Sequence, residues 1–195
     1  MKTRQNQQIF RTLLNAMSAP GQTFAFGTTE FSDCLSSAPL SPACAAICLS
    51  LLDEASPISL FQMPESVASW LLKHCRVPIS SPKQAVFALG MGKHWDWDQT
   101  LLNIGSEEEP EKGATLILEL DSLDGGEPLQ LTGPGIASSQ IAAPRLSPGF
   151  MTFRQKQQGL YPRGIDLILC CGNECLCLPR SISIHSDMEN KSCPM

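Results

Sequence analysis

The sequence predicts an α/β domain built on a mixed sheet covered by helices. Three observations carry this expectation. Helical and strand patterns alternate through the first half of the chain, and hairpin patterns dominate the second half. Two largely apolar runs, residues 114–120 and 165–171, read as buried strands. With 195 residues and 43% apolar content, the chain is sized for one domain with a substantial core. No internal repeat or long linker divides it. Residues 1–185 are therefore expected to form the domain, and the polar residues 186–195 a disordered tail.

Each element has a local cause. Ile9, Phe10, Leu13, Leu14 and Met17 recur at helical spacing, and Ser18-Ala19-Pro20-Gly21 ends that helix. Residues 22–26 alternate weakly and form a short strand. Ser41-Pro42 is a hydroxyl cap followed by proline at the first helical position, so a helix starts there. Residues 43–52 are apolar almost all round, which marks that helix as buried. Residues 58–61 read as a strand and residues 64–75 as a helix, with Val67, Trp70, Leu71 and His74 on one stripe. Residues 77–79 and 85–89 are short strands, and the Glu107-Glu108-Glu109-Pro110 segment is a solvated loop. After residues 114–120, Asp124-Gly125-Gly126 signals a turn into residues 129–131, so these two strands are expected to pair as a hairpin. A helix over residues 150–158 precedes residues 165–171. Gly172-Asn173 then turns the chain back along residues 175–178.

Composition excludes several classes of function. Nineteen acidic against 14 basic residues give a net charge of -5, and the basic residues are scattered singly. Duplex-binding proteins gather Lys and Arg on one face, so nucleic acid is not an expected partner. The longest apolar run, residues 43–52, is about half of the roughly 20 residues that span a bilayer. The N-terminal residues are polar and lack the apolar stretch of a signal peptide. The nine cysteines are odd in number and lie mostly in apolar segments, unlike a secreted disulfide framework. A cytoplasmic protein with reduced thiols is expected, with Cys193 as an incidental thiol.

The clustered Cys170, Cys171, Cys175 and Cys177 invite a zinc reading, since tetrahedral zinc accepts four thiolates. Neighbours 170 and 171 on a strand point to opposite faces, however, while 175 and 177 share one, so the four sulfurs do not easily converge. The expected role is core packing, with no metal bound. Leu131-Thr132-Gly133-Pro134-Gly135-Ile136 could expose backbone N–H groups of Gly133 and Gly135 to a phosphate. Pro134 removes one donor and no P-loop lysine follows, which favours a tight turn. Asp166 opens a buried strand and needs a partner, with Arg163 and Arg180 as candidates. An Asp–Arg pair there would serve as a buried brace or as part of an anion site, and both uses stay open. No Gly-x-Ser-x-Gly elbow or His-Glu-x-x-His pair occurs. His74, His94 and His185 lie far apart, and Trp95 and Trp97 beside His94 read as packing.

Phe10-Arg11, Ala16-Met17-Ser18 with Pro20-Gly21, Gly113-Ala114-Thr115-Leu116-Ile117-Leu118, Leu131 through Ile136, and Gly164-Ile165-Asp166-Leu167-Ile168-Leu169 with Pro179-Arg180 resemble, in the same order, the motifs of the PhnH family. These are H subunits of the bacterial carbon–phosphorus lyase system. The resemblance runs from near residue 8 to near residue 184, and the cysteine-rich hairpin and residues 93–111 stand outside it. It implies a three-layer α/β/α architecture similar to a reduced pyridoxal-phosphate transferase fold that does not bind that cofactor. It further implies homodimers and assembly with G, I and J subunits in a core complex. With the G, I and L subunits, the family supports formation of α-D-ribose 1-methylphosphonate 5-triphosphate from ATP and methylphosphonate, releasing adenine. No catalytic residue is implied for the H subunit. The residues agree in one respect: the substrates are polyanions, yet the chain is acidic and has no phosphate loop, which favours a supporting subunit. The alternative is a stand-alone small-molecule enzyme or anion-binding protein using Gly133, Gly135, Arg163, Asp166 and Arg180.

Overall fold

The computed structural model describes residues 2–27, 33–97 and 101–186. Its elements in chain order are α1 (Lys2–Ser18), β1 (Thr23–Ala25), the single-turn α2 (Asp33–Ser36), α3 (Pro42–Leu51), β2 (Ile58–Phe61), α4 (Glu65–Cys75), β3 (Phe87–Met91), β4 (Thr115–Glu119), β5 (Leu129–Thr132), β6 (Gln140–Ala142), α5 (Phe150–Gln158), β7 (Asp166–Cys171), β8 (Glu174–Leu178) and β9 (Ser183–Ser186). The ends follow local chemistry. Ser41 caps α3, its side chain accepting from the N–H of Cys44 at 3.4 Å, with proline at the first helical position. Arg76, left-handed at φ 55°, ends α4.

Six strands form the main sheet in the order β1-β8-β7-β4-β3-β2. Strands β7, β4, β3 and β2 run parallel, while β8 and β1 are antiparallel to their neighbours. A second, antiparallel sheet has the order β6-β5-β9. Two-residue alternation divides the core. Ile117 of β4 and Ile168 and Cys170 of β7 face the layer of α1, α3 and α4. Leu116, Leu118, Leu167 and Leu169 face the opposite layer, where α5, the small sheet, Trp95 and Trp97 cover them. The expected mixed α/β domain is what is observed, and strands 114–120 and 165–171 are its central, doubly covered pair. No helix among the described residues is long and apolar enough to cross a membrane.

Three expectations fail. Residues 114–120 and 129–131 do not pair, because β4 is flanked by β3 and β7 and has no open edge. The Asp124-Gly125-Gly126 turn instead carries the chain into the second sheet, where the Gly126 N–H donates to the Ala143 carbonyl at 2.7 Å. Residues 77–79 form no strand, and only Ile79 bridges to Ile58 at the sheet edge. Ser186 belongs to β9 instead of a tail. The disorder expected of the remaining tail, and the reading of Cys193, lie outside the described residues.

Candidate functional site

The β7–β8 hairpin places Leu167 opposite Leu178, so Asp166 at the mouth of β7 meets the chain just after Pro179. Arg180 closes on it. Its backbone N–H donates to Asp166 Oδ1 at 2.7 Å, and its Nε and Nη2 donate to Oδ2 at 3.0 and 2.7 Å. Its Nη1 donates to the Pro110 carbonyl at 2.5 Å. Both side chains are only 16% exposed. Every nitrogen of this guanidinium is therefore engaged inside the protein. The approach requires glycine: a Cβ on Gly113 would lie 2.6 Å from Arg180 Nη1 and 2.4 Å from the Gly164 carbonyl.

Arg163 takes no part in this pair. Its side chain is 30% exposed, and its Nη2 lies 3.8 Å from Glu107 Oε1. Gly133 and Gly135 have φ of 126° and 83°, a conformation that L side chains rarely adopt. A Cβ on Gly135 would stand 2.2 Å from the Ser18 carbonyl, and one on Gly133 would stand 3.1 Å from Ile182 Cα. This turn is wedged between the end of α1 and the β8–β9 connection. Gly21, in the turn after α1, is pressed against Leu131 in the same way. The sequence motifs thus join in pairs, residues 18–21 with 131–135 and residue 113 with 164–166 and 180.

Arg154 binds the two junctions together, and sequence reasoning missed it. Completely buried, its Nη2 donates to the carbonyls of Pro179 and, at 3.1 Å, Ile182. Its Nε and Nη1 have no hydrogen-bond partner. Burial above all, opposed by Asp166 and assisted by Arg180, brings its pKa down to about 10. The available signal was its place one turn from Phe150 and beside Phe153, on the buried face of α5.

The cysteines form a layer of thiols between α3, α4 and the sheet. Cys44, Cys48, Cys75, Cys170, Cys175 and Cys177 are buried in one core cluster, while Cys171 faces the other side. A hydrogen bond with Cys170, then burial, pushes the Cys44 thiol well above its ordinary range. Cys48 is raised through Cys44, Cys177 through Cys175, and Cys75 to about 12 by burial. The opposed faces of 170 and 171 are as expected. Among the described residues, no group of three or more His, Cys, Asp or Glu side chains could hold a metal ion. The aromatic residues also pack as expected, Trp95 and Trp97 being 6% and 3% exposed. Trp97 lies 5.1 Å from Phe150 and 4.9 Å from Phe153, and His74 lies against Trp70 at 5.0 Å.

The architecture is that of an α/β protein whose distinctive residues form internal junctions. Residues 1–185 match the family model of the bacterial phosphonate metabolism protein PhnH, and the chain belongs to that family. It is 31% identical over 188 residues to the α-D-ribose 1-methylphosphonate 5-triphosphate synthase subunit PhnH of Rhizobium meliloti (strain 1021), covering 93% of this chain and 90% of the relative. It is also 31% identical over 180 residues to the putative C-P lyase subunit protein HtxG of Stutzerimonas stutzeri, covering 92% and 85%.

Proposed function

We propose that this chain is the H-type subunit of a cytoplasmic α-D-ribose 1-methylphosphonate 5-triphosphate synthase in phosphonate catabolism, and that it contributes by docking instead of by chemistry of its own. The observation that carries this reading is the near full-length similarity to the Rhizobium meliloti subunit. The engagement of Arg180 by Asp166 and the Pro110 carbonyl supports it, because a polyanion needs cations that internal contacts have not consumed. The partners of this reading are G, I and J subunits, with a homodimer as the isolated form. Its three-layer α/β/α form is proposed as a reduced relative of the pyridoxal-phosphate transferase fold without that cofactor. Gly133, Gly135, Asp166 and Arg180 are proposed as scaffold. Arg163 is the residue of that set whose guanidinium remains accessible to an anion.

Adenine release from ATP and methylphosphonate tests the reading. The purified chain alone is expected to release none, the reconstituted subunits to release it, and the set lacking this chain to fail. Release by the chain alone, or full activity without it, would overturn the proposal.

A further inference from the structure

A surface groove of about 280 Å³ opens where the second sheet meets α5. Small-molecule pockets run from about 300 to 1,000 Å³, so this one is short of a nucleotide and sized for a few side chains. Leu146 and Met151 are half-buried there above the buried Leu129 and Phe150, and Pro148 rises exposed beside them. Among the described residues of the lining, Glu127 is the only ionisable one, exposed at its surface. No described cation pairs with it. The first turn of α5 forms part of the groove, and Gly149 starts it without a side-chain cap. The walls are held from behind, because Ser147 Oγ donates to the Trp95 carbonyl at 2.6 Å and Trp97 Nε1 donates to the Ser147 carbonyl at 3.2 Å.

We propose that this groove receives a segment of a partner protein that presents a bulky apolar side chain next to a lysine or arginine. The inference rests on the docking reading above and names the surface that serves it. The apolar residue packs on Leu146 and Met151, where a flexible thioether adapts to its shape. The basic residue pairs with Glu127, the charge the groove leaves unmatched. The uncapped amides of α5 complement carbonyl groups of the incoming backbone.

Binding of purified partner subunits, one at a time, to wild type and to Glu127→Lys, Met151→Glu and Leu14→Glu tests this. Leu14, 52% exposed on α1 in the opposite layer, serves as the control. The two groove variants are expected to weaken one subunit's binding by about ten-fold or more, and Leu14→Glu to leave it within about two-fold. Glu127 is exposed, so its variant keeps the test valid if Met151→Glu does not fold. Hydrogen exchange on the wild-type complex should show new protection over residues 144–152. Unaltered binding by folded groove variants, or protection elsewhere only, would overturn the groove while leaving the proposed function standing. Variants that change only self-association of this chain would also overturn it. A wild-type chain that binds no subunit would remove both.

Discussion

Arg180 holds Asp166 through both carboxylate oxygens, its backbone N–H on Oδ1 and its Nε and Nη2 on Oδ2. The same guanidinium reaches the Pro110 carbonyl, so one residue ties the end of β8 to the start of β7 and to the loop before β4.

Truncating one partner of this pair should destabilise strongly. Removing Asp166 as Asp166→Ala leaves a mostly buried cation, at a cost of about 3–5 kcal/mol. Replacing both partners with apolar residues of similar volume should cost less than the two single changes together. Urea unfolding of the two single variants and the double variant reads the difference. A single variant within about 0.5 kcal/mol of wild type would show that the pair is no brace.

Glycine substitutions should separate close approach from backbone conformation alone. Gly135→Ala places a Cβ 2.2 Å from the Ser18 carbonyl and should shift α1 or prevent folding. Gly172, at φ 53° with nothing within 4 Å of its Cβ position, should cost only about 1–2 kcal/mol as alanine. Thermal midpoints of the two variants give the order, and equal losses would contradict the packed junction.

The thiols should be protected in the native state. Buried Cys44, Cys48, Cys75, Cys170, Cys175 and Cys177, several with raised pKa, should resist a thiol reagent until the chain unfolds. Labelling followed by mass spectrometry should find Cys171 modified before any of them.

Cys75 also has a signed effect on alkaline stability. Its folded pKa of about 12 stands above the ordinary 9.0, so the folded state binds more protons in that interval. Its contribution is fully present below about 9 and is lost as pH rises through about 12. Arg154 acts oppositely. Its folded pKa of about 10 lies below the ordinary 12.5, so the unfolded state binds more protons and stability gains as pH climbs between them. Cys75→Ala should therefore flatten the loss of stability above pH 9, and Arg154→Met should steepen the change above pH 10. Urea midpoints across pH 8–11 check both signs.

Most of the main sheet was legible because its signals are local. The interiors of β4 and β7, residues 116–118 and 167–170, are apolar on both faces, and only a central strand needs that. The separation of β4 from β5 was not legible, since Asp124-Gly125-Gly126 turns the chain equally well into a hairpin or into another sheet. β6 and β9 are three and four residues long, and their pairing to β5 is decided by tertiary contact. Asp166 announced a need for a partner, but Arg163 and Arg180 flank the hairpin alike in sequence, and only the β7–β8 register selects Arg180. Arg154 escaped notice because a charged residue in a polar helix ordinarily faces water.

The pairing of β1 with β8 constrains the order of assembly on the ribosome. Thr23–Ala25 wait for Leu176, Cys175 and Glu174, the Gly21 N–H waits for the Cys177 carbonyl, and the turn after α1 waits for Leu131. The first helix meets α3 soon after it is made, but the strand and turn that follow it gain their partners only after most of the polypeptide has emerged. Long-range closure of this kind leaves the edge strand β1 and the turn after α1 unpaired until β8 and Leu131 are available.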